Sequence, residues 1–194
     1  MAITYPLALP THTGIASIEL RAVNSVAYSQ SPFSFKGQAH AYSGEMWQAD
    51  VSLPPMKRDD AERWIAFLMS LRGQYGTFLL GDPNGTSARG SASSASITGS
   101  AGSRSVTVSM TGTLKAGDYF SLGTGDDQRL YKVLVDQTNS GTLEIWPALR
   151  ASASSASADL TTPQGRFRLS TNEQNWSINE ASFYGITFGA MEAL

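Results

Sequence analysis

His12 and His40 are the first residues to weigh for acid–base or metal chemistry. Neither stands at metal-ligand spacing from a partner, so a structural or solvated histidine is the default reading of both. Asp118, Asp126 and Asp127 offer the hard oxygens that calcium takes, but the spacing of a calcium loop and its closing glutamate are missing. They read as turn residues. Gly123-Thr124-Gly125 looks like a fragment of a phosphate loop, yet no helix pattern follows to point N–H groups at an anion. Glu19, Glu45 and Glu62 are too scattered to select an acid/base pair, and no serine sits in a strand–turn–helix elbow. The absence of cysteine removes disulfides, thiolate zinc sites and thiol nucleophiles. The expectation is therefore no catalytic residue, no metal ligand and no cofactor: a protein that is not an enzyme.

Two other residue sets have a chemical and a plain reading. Arg58, Arg63 and Arg72 could touch nucleic acid, but Asp59, Asp60 and Glu62 balance them, as on a solvated helix face. The formal charge of −2 also argues against a dedicated nucleic-acid or membrane-surface binder. Trp47, Trp64, Trp146 and Trp176 could line a sugar-binding face. Trp47 alternates with apolar neighbours and Trp64 lies on an apolar helix face, so both read as core. Trp146 and Trp176 lie near turns and are candidates for interface or glycan contact. Asn84-Gly85-Thr86 and Asn175-Trp176-Ser177 match glycosylation sequons, which matter only after secretion. The N-terminus has no positive n-region or apolar run of a secretory signal, and no stretch approaches a membrane span. A soluble protein made in the cytoplasm is expected.

The elements around these residues are mostly strands. One helix is expected over about 59–72, with Asp59 as N-cap, Glu62 completing a capping box and Gly73 stopping it. Its apolar face carries Trp64, Ile65, Leu68 and Leu71, which must lie on a sheet. Before it, strands are expected at Ile15–Val23, Phe33–Tyr42 and Trp47–Leu53, with a loop over Asn24–Pro32 and a turn at Ser43-Gly44. Tyr75–Leu80 follows as a buried strand. The apolar arm Ile3, Tyr5, Leu7, Leu9 packs on its own domain or reaches a neighbour.

Composition changes at Gly85. Two Ser/Ala-rich runs, 86–105 and 150–162, read as paired linkers around a block of four or five short strands. That block is an inserted small β-barrel or sandwich domain, 86–162. Residues 1–85 and 163–194 form one discontinuous β domain, because the hairpin of Trp176, Ile178 and Phe183–Gly189 is too small to stand alone.

The run WQADVSLPPMKRDDAERWIAFLMSLRGQYGTFLLGDP, from Trp47, resembles proteins of the tail tip of long-tailed bacteriophages, and so do LKAGDYFSL, RLYKVLVD and GTLEIWPALR. The family is that of the distal tail proteins. The resemblance implies a tail-tube-like β-sandwich or barrel flanked by one helix, with a small inserted barrel. It implies a structural virion protein without an active site. Copies would form a ring, usually of six, at the tail tip, joining the tail tube protein to hub and tip proteins. The lumen would pass DNA and the tape-measure protein, with no sequence-specific nucleic-acid binding and no membrane insertion. Assembly would occur in the host cytoplasm. The alternative expectation is a carbohydrate-binding module for host-surface adhesion, with Trp146 as its stacking platform.

Overall fold

A computed structural model describes residues 3–11 and 14–194. Strands hold 47% of the chain and helix 8%, so the protein is mainly β with one α-helix. The first sheet runs in the order β1 (Ser17–Gln30), β2 (Gly37–Ser52), β14 (Tyr184–Glu192), β12 (Gly165–Leu169), β3 (Phe78–Leu80), and β13 (Trp176–Ile178) pairs with β14. Residues on both sides of the 86–162 block thus share one sheet. The second sheet runs β11 (Ala153–Ala158), β4 (Ala95–Gly99), β5 (Ser105–Met110), β10 (Gly141–Trp146), β8 (Arg129–Val133), β7 (Tyr119–Leu122). It curls until its ends meet, where Ser121 and Asp159 exchange backbone hydrogen bonds of 3.0 and 2.9 Å. A small ribbon of β6 (Thr113–Leu114) and β9 (Gln137–Thr138) stands beside it.

Helix α1 spans Arg58–Ser70. Trp64, Ile65 and Leu68 are buried on it, and Leu71 is buried just past its end, as the apolar stripe requires. They meet Val51, Phe78, Phe188 and their neighbours in one core. The start differs from the expected capping box. Met56 is locked into a backbone pair with Tyr184, so the helix begins directly after it, with Lys57 at the cap and no side-chain cap bond. Glu62 turns to Arg58 at 3.6 Å instead. The stop comes earlier than the expected 72: α1 ends at Ser70, Leu71 caps it, and Arg72 already takes φ 52 ahead of Gly73 at φ +69, where a Cβ would stand 2.7 Å from Asn172 Oδ1.

Further expectations are corrected. The three strands before the helix are two long ones, and the supposed loop Asn24–Pro32 is mostly strand. Asn24 faces Glu45 but Val26 faces Ala41, so Ser43-Gly44 is a bulge in β2, not a turn. The Ser/Ala runs are not linkers. Part of each is a strand, and β4 and β11 pair with each other, Ala156 opposite Ile97 and Ala158 opposite Ala95. Ala92, Ala95, Ile97 and Ala158 are buried there and share the barrel interior with the larger Phe120, Tyr131 and Leu143, since small and large side chains together fill a narrow barrel. The Tyr75–Leu80 strand shortens to Phe78–Leu80, with Tyr75 exposed against Tyr5.

The N-terminal arm packs on its own chain. Leu7 accepts from Leu79 and donates to Thr77, both at 2.9 Å, covering the β3 edge. Tyr5 Oη donates to the Ser70 carbonyl at 2.7 Å. Gly185 and Gly189 are close-approach points, as expected: a Cβ on Gly189 would stand 2.3 Å from Ser170 Oγ.

Candidate functional site

The residues weighed for chemistry do not converge. His40 is exposed on β2, edge-on to Tyr42 at 4.8 Å, and His12 lies outside the described residues. Among the described residues no group of three His, Asp or Glu could hold a metal ion. Asp118 is buried and fully committed: it accepts from Lys115 N, from Arg89 N and from Arg89 Nε. Asp126 pairs with Arg166 at 3.0 Å, in the three-residue turn that also holds Asp127. Glu19 is exposed, Glu62 holds Arg58, and Glu45 is buried far from both. Asn84 and Asn175, the sequon residues, are not in the core: Asn84 is exposed and Asn175 lies on the surface beside Trp176. An open groove of about 610 Å³ on the outer face of the first sheet is lined by Glu19, Asp50 and Glu173, and Asp50 is paired with Arg21.

Burial pushes the Asp118 carboxyl up, but the three hydrogen bonds and the Arg89 charge outweigh it, leaving its pKa below the ordinary aspartate value of 3.8. A depressed carboxylate stabilises the fold above its unfolded pKa and loses that contribution as pH falls through the folded one. Asp118→Asn is therefore expected to cost about 1–3 kcal/mol at pH 7. The gap to the parent protein closes as pH drops below about 4. Urea midpoints between about pH 3 and pH 7 measure it; a gap that stays constant contradicts the assignment.

Two features do stand out, and both come from long-range pairing. The first is an arm. Beyond the bulge, β1 and β2 leave the sheet as a two-stranded ribbon, and of residues 21–44 all but Ser31 are exposed. At ~3.3 Å per residue, the stretch from Val23 to Gln30 reaches roughly 25 Å. Val26, Tyr28, Tyr42, Phe33 and Phe35 are exposed along it, Phe33 by 96% and Phe35 by 75% at the tip. Tyr28 lies across Gly37, where a Cβ would stand 2.3 Å from its hydroxyl, so the glycine leaves space for that ring. The tip closes by Ser31 N to Lys36 O and Phe35 N to Ser31 O, with Phe35 at φ 55.

The second is the clamp at the arm's root, where the first sheet meets the barrel. Glu45 Oε1 accepts from Arg104 at 2.7 Å and Oε2 from Ala148 N at 2.7 Å. Glu192 takes Arg150 at both oxygens, 3.0 and 2.7 Å, and also accepts from Trp47 N at 3.1 Å. Arg150 donates further to the Glu45 carbonyl at 2.6 Å. Trp47 Nε1 donates to Leu130 O, and Trp146 Nε1 to Asn24 Oδ1 at 2.8 Å. Trp146 thus stands half-buried and edge-on to Trp47 at 4.5 Å, at the junction. Trp176 is exposed on β13. Trp64, Ile65, Leu68 and Leu71 are helix core, and Trp47 is core as expected.

The arm leaves a partial trace in local sequence and the clamp none. The alternation Val26-Ala27-Tyr28-Ser29 is a strand signal inside the supposed loop. The clamp has no local signal, since its partners stand 42 to 145 residues apart. No family model matches the chain, and no curated protein matches it.

Proposed function

We propose that the protein is a structural subunit of a bacteriophage tail, one copy of a closed ring at the tail tip. The ring joins the tail tube to hub and tip proteins around the channel for DNA and the tape-measure protein. The observation that carries this reading is the arm: an uncovered ribbon with the exposed side chains of Val26, Tyr28, Phe33, Phe35 and Tyr42. A two-stranded ribbon is marginal by itself in water, and exposed apolar strand edges are sites of pairing with other chains. The resemblance of Trp47–Asp82 and of the central block to distal tail proteins supplies the phage context. A head-to-tail contact that closes by rotation is what a ring subunit needs. The clamp at the arm's root supports a rigid subunit. The competing glycan-binding reading needs an open ring at Trp146, which is half-buried at the junction, T-shaped to Trp47 and tied to Asn24 through its N–H.

Native mass spectrometry of the purified full chain tests this. The expected species is a closed multiple of the 20.7 kDa subunit. A monomer at high concentration, together with absence of the chain from purified virions, contradicts the proposal.

A further inference from the structure

The first sheet has two open ends, and they differ. On one side lies β1, whose outer edge has no partner strand among the described residues, and which continues into the arm. On the other side lies β13. At Tyr184–Gly185, β14 gives one edge to Met56 and the opposite edge to β13, so β13 stands across β14 from β2 and β1. Beyond β13 no further strand follows among the described residues, whereas the lower part of that side is closed by β3 and the Leu7 segment. Around β13, Trp176, Ile178 and Phe183 are exposed. The molecule therefore has an apolar ribbon on one flank and a short apolar strand edge on the other.

The charges of these flanks are opposite. Residues 23–44 contain Lys36 and His40 and no Asp or Glu. Residues 171–185 contain Glu173 and Glu180 and no Lys, Arg or His. An arm meeting another arm would bring like charges together, while an arm meeting a β13 edge brings a cation to carboxylates. Both flanks are apolar at the centre and sparsely charged, the composition of an interface core with a polar rim.

We propose that the arm of one copy docks along the β13 edge of the next copy. Phe33, Phe35 and Tyr28 of the arm meet Trp176, Ile178 and Phe183, and Lys36 faces the Glu173 and Glu180 side. The contact is heterologous: each copy gives its arm and receives one, which closes a ring or grows a filament according to the rotation per step. This rests on the ring reading above and names the two surfaces that build it.

Because the chain has no cysteine, single thiols report the contact cleanly. Ser34→Cys marks the arm tip and Ala181→Cys the turn after β13; both positions are exposed. Treated with a short bis-maleimide, each variant alone is expected to give little cross-linked dimer. An equal mixture of the two gives predominantly the mixed product, arm-tip thiol to turn thiol, and the doubly substituted chain gives a ladder. A further variant, Phe33→Ser with Phe35→Ser, keeps the far-UV circular dichroism of the folded chain, since both rings are in solvent within the single subunit. It weakens self-association about 100-fold or more, as loss of two aromatic anchors does. If the oligomer forms but links only arm-tip thiol to arm-tip thiol, or links neither, the docking assignment is wrong and the ring reading stands. If the unmodified chain stays monomeric at high concentration, the docking assignment falls, and absence of the chain from purified virions then takes the ring reading with it.

Discussion

Glu192→Ala is expected to lower the unfolding free energy by about 3–5 kcal/mol, the cost of removing one member of a buried ion pair. The Glu192 side chain is 2% exposed and that of Arg150 15%. Truncation leaves the guanidinium between the first sheet and the barrel without its carboxylate, and leaves Trp47 N without its acceptor. An unpaired buried charge, not the lost attraction alone, sets the size of the effect. For a chain of this length the melting temperature should fall by roughly 6–20 °C. The companion variant, Glu192→Leu with Arg150→Met, removes both charges together and is expected to recover much of the loss, because no charge is then stranded. Trp47 N and the Glu45 carbonyl still lose partners, so recovery is incomplete. Urea unfolding of the two variants decides the matter. Equal losses in both would mean that the pair stabilises by attraction and not by mutual neutralisation. The same clamp fixes the arm's root through Glu45 and Asn24, so loosening it also changes where the arm points.

How much of this is legible in the sequence depends on the range of the physics. Local patterns transfer well. The stripe Trp64, Ile65, Leu68, Leu71 fixes one helix face, and Gly73 marks the left-handed turn that follows, although the helix ends at Ser70 and Arg72 enters that turn first. The alternation of Trp47, Ala49, Val51 and Leu53 fixes the inward face of β2. Boundaries fail where tertiary pairing overrides local preference. Asp59 is a better cap than Lys57, yet the Met56–Tyr184 pair starts the helix first. Low-complexity Ser/Ala sequence misleads because small residues look unable to pack. In the barrel they share the interior with large side chains such as Phe120 and Tyr131, and Ala158 and Ala95 face each other across β11 and β4. Ser43-Gly44 signals a departure from regular strand, but the sequence does not separate a bulge from a turn. The arm follows from that one ambiguity, since a turn there would break the ribbon into pieces. The clamp is beyond reach altogether: Glu45 and Glu192 carry no mark that distinguishes them from surface glutamates until the fold buries them.

Trp64→Ala is expected to cost about 3–5 kcal/mol, within the range for deleting a large buried ring. Trp64 is 1% exposed. Its ring belongs to a closed circuit of four: Trp64 to Phe67 at 5.8 Å, Phe67 to Phe78 at 5.7 Å, Phe78 to Phe188 at 6.1 Å, and Phe188 back to Trp64 at 6.1 Å. Three elements, α1, β3 and β14, meet through these rings and the aliphatic groups around them. Removing Trp64 opens a cavity that its two ring neighbours, Phe67 and Phe188, cannot collapse into without giving up their contacts to Phe78. Met69, exposed on the opposite face of the helix, supplies the internal control, and Met69→Ala should stay within about 0.5 kcal/mol of the parent. A Trp64→Ala loss no larger than that of Met69→Ala would mean that α1 does not hold the sheet. The loss also has a direction in space. Phe188 lies on β14, the strand that carries β13 on its far edge, whereas the barrel keeps its own core. Amide exchange in the variant should therefore rise at Tyr184–Phe188 before it rises at β4, β5 and β11. That order separates a helix that merely covers the sheet from one that keeps the β13 edge in place for a partner.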